Sequence, residues 1–207
     1  MATRTVIALS RAIGAGGEEI GRAVAAQMKL RYADEEIIVK AAEAAGVDPA
    51  RVAEAETTPA LITRILESLG RNPGAYEGFA APPVLEEAPS AYEALIERVV
   101  KQTAEQGDVV IVGHAASIPL AGMPSLLRVL VTAPPDIRAR TLAQAEGMDE
   151  GKAKKAVRDS DSQRRQYLKR FYGVEEEHPS HYDLVVSTET FSAEEAARII
   201  AAAASGG

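Results

Sequence analysis

The stretch ALSRAIGAGGEEIGRAVAA, residues 8–26, decides the reading of this chain. A short apolar run, VIAL, leads into it and an amphipathic stretch leaves it. Gly14, Gly16, Gly17 and Gly21 therefore fall on the turn between a predicted strand and a predicted helix. Glycines there let the backbone turn sharply and bring its N–H groups close to an anion. The start of the following helix adds unpaired donors and partial positive charge. The alternative reading is close packing of helix on strand, for which glycine is equally suited.

The charge of the loop argues the other way. Where a phosphate-binding loop offers lysine and then serine or threonine, this chain offers Gly17, Glu18 and Glu19. Two like charges about 4 Å apart repel by about 4 kcal/mol at an effective dielectric of 20. One glutamate facing the ligand would outweigh several backbone hydrogen bonds. Three features would relieve this. Glu18 can pair with Arg22, since i,i+4 residues share a helix face. Glu19 is a candidate Mg2+ ligand, and the ion would invert the local charge. Arg11 can fold over the loop in place of the missing lysine. Ordinary surface ion pairing is the alternative for each.

Outward from the loop, four runs rich in β-branched residues read as buried strands: RTVIAL (4–9), DVVIVG (108–113), LLRVLV (126–131) and YDLVVS (182–187). Their unbroken apolar character suits a parallel sheet covered on both faces. Helical patterns at about 17–28, 35–46, 59–70, 89–106, 135–146, 149–172 and 192–204 alternate with them, which predicts a doubly wound α/β fold. Two regions break the alternation. Residues 34–106 contain helical pieces and the Pro/Gly-rich loop GRNPGAYEGFAAPPVLEEAPS (70–90). Residues 147–178 are strongly charged, with helix-start chemistry at Asp149 and a stop near Gly173.

The bulk numbers limit the function classes. The 207 residues suffice for one well-cored domain, and 46% apolar with 26% charged residues is ordinary globular composition. With no cysteine there is no disulfide, thiolate chemistry or Cys-based zinc site. A net charge of −7 argues against broad nucleic-acid binding. No apolar run approaches a membrane span or a signal peptide, so a cytoplasmic protein without membrane partners is expected. HPSH (178–181) reads as a surface loop, and GHAAS (113–117) lacks a nucleophile-elbow pattern.

SRAIGAGGEEIG (10–21), VVIVGHAA (109–116), LLRVLVTAPPDIRAR (126–140) and SDSQRRQYLKRFYG (160–173) occur in the order seen in cytidylate kinase-like proteins. The chain resembles this family, P-loop nucleoside monophosphate kinase relatives with a modified glycine loop, from about residue 4 to 200. The resemblance implies a three-layer P-loop kinase-like fold, a five-stranded parallel sheet flanked by helices with a helical insertion and a lid. The single domain would have a core of about 1–33, 107–146 and 179–207, a monophosphate-binding-like insertion at 34–106 and a lid-like segment at 147–178. It implies ATP-dependent phosphoryl transfer to a nucleoside monophosphate, CMP or dCMP, with Mg2+.

Under the resemblance Gly14, Ala15, Gly16, Gly17, Glu18 and Glu19 bind nucleotide, and Arg11, Arg158, Arg164 and Arg165 carry catalysis. Asp34, Lys40 and His114 meet the acceptor, and Lys169 and Arg170 are further lid cations. Helical spacing sets Asp161, Arg165 and Lys169 along one stripe. Two positions depart from the pattern. Relatives commonly carry arginine where this chain has Glu18, and Gly-Arg where it has Gly113-His114. Histidine lacks the bidentate fork of arginine and is mostly uncharged near neutral pH. These departures leave open a non-catalytic kinase-like module for nucleotide sensing or protein interaction.

Overall fold

The structure is a computed structural model and describes residues 5–34, 37, 39–40, 89–175 and 177–206. The helix expected at 59–70, most of that at 35–46 and most of the 70–90 loop lie outside the described residues.

Strand β1 (Val6–Arg11) is the centre of a five-stranded sheet. The others are β2 (Arg31–Ala33), β3 (Val109–Val112), β4 (Leu126–Thr132) and β5 (Leu184–Ser187), in the order β2-β3-β1-β4-β5. Every pairing is parallel: Val6 sits opposite Val109 and Leu126, Arg31 opposite Val109, and Val129 opposite Leu184. The helices are α1 (Gly17–Met28), α2 (Pro89–Glu105), α3 (Pro135–Glu146), α4 (Glu150–Tyr172) and α5 (Ala193–Ala204). A 3-10 turn covers Pro179–His181.

Alternation along β1 divides the core, because successive strand residues point to opposite faces. Val6 and Ala8 join Val109, Ile111 and the α2 residues Ile96, Val99 and Val100. Ile7 and Leu9 join Val110, Val112, Val129 and Val131 beneath α1 and α5. A third, smaller cluster of Ala139, Ala153 and Val157 joins α3 to α4 and takes in Ile13 of the glycine loop. The fold is thus α/β in three layers, with α3 and α4 as an appended hairpin.

The two ends read from the sequence for 149–172, Asp149 and Gly173, are in place. Asp149 accepts from the N–H groups of Gly151 and Lys152, and Gly173 ends α4 in the left-handed region at φ 65°. Ser192 and Glu195 form a reciprocal capping box at α5. Among the described residues, no helix is long and apolar enough to cross a membrane.

In a parallel sheet all strands end on one edge. Here the segment after β1 runs to α1 on one face, while Ala116 and Leu120 after β3 pack on the other. Neighbouring strands whose exits diverge open a crevice at their carboxyl ends, the usual ligand site of such sheets.

Candidate functional site

The loop between β1 and α1 leaves the sheet at that carboxyl edge. Gly14 and Gly16 are left-handed, at φ 76° and 71°. Packing explains three of the glycines. A Cβ on Gly14 would lie 2.3 Å from the Arg138 carbonyl oxygen, one on Gly17 2.5 Å from Arg11 Cβ, and one on Gly21 2.8 Å from Val112 Cγ2. Gly16 differs, since a Cβ there would meet open space. Gly16 caps α1 without a side-chain hydrogen bond, so among the described residues no cap side chain takes up the first-turn N–H groups. Ala15 is buried, and its N–H donates to the Ala12 carbonyl, tightening the turn.

The two glutamates behave differently. Arg11 Nη2 lies 2.7 Å from Glu18 Oε1, joining the end of β1 to the first turn of α1. The expected Glu18–Arg22 pair is not formed; Arg22 instead lies over the Tyr32 ring, 5.1 Å from its centroid. A flat aromatic face on the neighbouring strand competes for the guanidinium. Glu19 is exposed and has no partner among the described residues.

Opposite the loop stand Asp34 and His114. Tyr32 donates its hydroxyl to Asp34 Oδ2 at 3.1 Å. His114 Nε2 lies 3.1 Å from the Asp34 carbonyl oxygen and 3.5 Å from Oδ1. A carbonyl only accepts, so Nε2 carries the proton. Burial pushes the Asp34 carboxyl up, but the His114 contact, the Arg11 charge and the Tyr32 hydroxyl outweigh it and hold it below its ordinary value. Burial and then the Asp34 charge push the Tyr32 hydroxyl up to about 12. Gly113, His114 and Ala115 are all left-handed, at φ 81°, 53° and 48°. Consecutive left-handed residues other than glycine are costly and persist where surrounding packing enforces them. Lys40 is half-buried in helical backbone beyond β2.

Most of the charged segment 147–178 is the one helix α4. Ser160, Gln163, Arg164, Tyr167 and Leu168 of α4 line a cleft with His114 and Ala115, which brings two expected site residues, Arg164 and His114, to one place. Arg164 donates from Nε and Nη2 to Glu177, at 2.7 and 2.6 Å, and from Nη2 to the Tyr182 hydroxyl at 3.4 Å. Burial opposes its charge, but the Glu177 carboxylate prevails and keeps it protonated. Tyr182 also donates to Glu177. Arg158 and Arg165 are exposed and make no ion pair among the described residues. Lys169 pairs with Glu175, and Arg170 lies over Phe171. The Asp161–Arg165–Lys169 stripe is therefore not a set of mutual partners.

Arg138, which sequence reading passed over, is 5% exposed and holds Asp161 through both carboxylate oxygens, at 3.0 and 2.7 Å. Its position four residues beyond Pro134 was visible, but its partner is 23 residues away. Ser10 and Ser117 form a buried hydroxyl pair at 3.5 Å between β1 and the segment after β3. Among the described residues no group of three or more His, Asp or Glu is arranged around a metal.

A model of the cytidylate kinase-like family matches residues 6–190. The cytidylate kinase of Methanopyrus kandleri is 33% identical over 116 residues, 52% of this chain and 60% of that protein. That of Methanoculleus marisnigri is 30% identical over 111 residues, 54% of this chain and 61% of that protein. The chain thus spans about three fifths of the length of these relatives. An uncharacterized protein from Eubacterium ventriosum shares the fold at TM-score 0.68 and 15% identity, covering 99% of this chain and 100% of its own. Shikimate kinase from Bacteroides thetaiotaomicron does so at TM-score 0.52 and 16% identity, covering 95% of each chain. At such identities the likeness extends to the fold alone. With a family match over most of the chain and the sheet, glycine loop and crevice in agreement, the chain belongs to the cytidylate kinase-like family.

Proposed function

We propose that the chain transfers the terminal phosphoryl group of ATP to a nucleoside monophosphate, with CMP or dCMP as the acceptor. The observation that carries this reading is the glycine loop, whose left-handed Gly14 and Gly16 lead into a helix start that no side chain caps. Backbone N–H groups in that arrangement suit donor phosphates. Arg11 stands beside them, and the acceptor would enter between Asp34, His114, Lys40 and the α4 edge carrying Arg164. Arg158 and Arg165, exposed on α4, are the cations available to bridge the transferring group. Phosphoryl transfer needs little from the protein beyond positioning and positive charge.

Mg2+ binds to such sites through one or two carboxylates together with substrate phosphates. The exposed and unpaired Glu19 in the first turn of α1 fits that donor requirement, so a protein-only cage is not needed. The ion would neutralise phosphate charge at the loop. ADP release measured across a panel of nucleoside monophosphates tests the reading. Release that depends on Mg2+ and is fastest with CMP or dCMP supports it; no turnover with any acceptor overturns it.

A second reading is favoured by one observation. The Arg11–Glu18 and Arg164–Glu177 pairs compensate two cations that phosphates would need. In that reading the fold serves nucleotide sensing or partner contact without catalysis. The double variant Glu18→Arg, His114→Arg separates the two: gain of turnover from none means a competent scaffold lacking charge, whereas loss of an existing turnover means that both residues serve the natural substrate.

A further inference from the structure

Arg138 makes four hydrogen bonds to three parts of the molecule. Nε donates to the Ala133 carbonyl at the end of β4 at 2.9 Å, and Nη1 donates to the Ile13 carbonyl of the glycine loop at 3.4 Å. Nη1 and Nη2 grip Asp161 on α4. The backbone of the same residue fills the space behind Gly14, where even a methyl group has no room. Ile13 packs with Ala139, Ala153 and Val157, so the loop also touches the α3–α4 hairpin through an apolar contact. On α4, Asp161 adjoins Ser160 and lies within one turn of Gln163 and Arg164, all three of which line the His114 cleft.

We propose that Arg138 is a positioning residue that registers α4 against the glycine loop, so that phosphate at the loop and the α4 edge over the His114 cleft move as one. The proposal rests on the phosphate-binding reading of the loop for its purpose, but the mechanical link can be tested without ligand. A planar guanidinium suits the task, since its fixed fork serves two carbonyls and a bidentate carboxylate together. Lysine, a single point charge on a flexible stem, keeps the charge and loses the register.

Hydrogen exchange along α4, with α5 as the control helix, reads the link directly. In the ligand-free protein, Gly14→Ala pushes on the Arg138 backbone and should speed exchange at residues 160–168 by about fivefold or more, leaving α5 unchanged. In the Arg138→Lys or Asp161→Asn background the same substitution should add less than about twofold. An equal effect in both backgrounds, or none in the wild-type background, overturns the proposal. If Gly14→Ala does not fold, Ile13→Val, which removes a methyl group from the same loop instead of adding one, is the milder perturbation, judged by the same comparison. A second arm uses Mg2+ with a non-hydrolysable ATP analogue. Binding should protect α4 in the wild type. In Arg138→Lys the dissociation constant should stay within about threefold while that protection disappears. Retained protection in Arg138→Lys overturns the proposal. Failure of the wild type to bind the analogue would instead overturn the phosphate-binding reading, and the ligand-free arm would still decide the link.

Discussion

Arg11 and Glu18 are joined across the two stems of the glycine loop at 2.7 Å, the last residue of β1 reaching the first turn of α1. Under the proposed phosphate-binding reading, a phosphate at the loop would compete with Glu18 for this guanidinium. The side chains are 31% and 48% exposed, so the pair itself contributes little to stability, about 1 kcal/mol or less. Glu18→Gln should therefore leave the urea midpoint nearly unchanged. A large loss of stability would mean that Glu18 is a structural residue of the loop.

The glycines of the loop should separate by mechanism. Gly21→Ala drives a methyl group to 2.8 Å from Val112 Cγ2 and 3.2 Å from Tyr32 Cε2, and should cost about 1–3 kcal/mol as overpacking. Gly16→Ala meets open space and carries only the left-handed backbone penalty, about 1–2 kcal/mol. Urea unfolding of the two variants checks the sizes. Nucleotide titration checks that Gly16→Ala is the one that alters affinity, because its backbone opens the helix start.

Acid should weaken the α4 anchorage. Burial pushes the Glu177 carboxyl up, but its two hydrogen bonds from Arg164 and the Tyr182 hydroxyl outweigh that and hold it below its ordinary value; Asp34 is depressed as well. Carboxyls with lower pKa values folded than unfolded contribute stability in full above the unfolded value. They lose it as pH falls through the folded one. The free energy of unfolding should be level from neutrality to about pH 5 and decline below about pH 4, where the unfolded carboxyls protonate first. Glu177→Gln should flatten that decline. An unchanged acid limb in the variant would remove Glu177 from the account.

At the alkaline end Tyr32 is the marker. Its hydroxyl is pushed up to about 12, first by burial and then by Asp34. Tyr182 is raised as well, so ultraviolet titration should be read as the difference from Tyr32→Phe, which should lose a phenol ionising about two pH units above the ordinary value of about 10. In Asp34→Asn that step should move part of the way back, since burial remains. No movement would mean that the Tyr32–Asp34 contact does not persist in solution.

Much of the fold was legible because local rules and tertiary structure agree. Continuous apolar runs gave β1, β3, β4 and β5, and Asp149 and Gly173 marked helix ends that the structure keeps. Strand β2 has only Arg31, Tyr32 and Ala33, too short and too polar to register as a run; its pairing with β3 defines it. The loop and the His114 segment could be located from glycine spacing, whereas the partners of their charges could not. Glu18 has Arg22 one turn away but pairs with Arg11, because Arg22 finds the Tyr32 ring. Asp161 shares a helix stripe with Arg165 but is taken by Arg138 from α3. Side-chain pairing across elements follows from packing, which periodicity does not encode.

The most direct measurement is calorimetric titration of a non-hydrolysable ATP analogue with Mg2+ into the wild type and Glu18→Gln. A glutamate about 4 Å from phosphate opposes it by about 4 kcal/mol before solvent screening at an effective dielectric of 20. The wild type should bind saturably and Glu18→Gln more tightly by about tenfold or more, with Arg11→Ala abolishing the gain. No binding by either protein would contradict this, as would equal affinities, which would place the phosphates away from the Arg11–Glu18 pair.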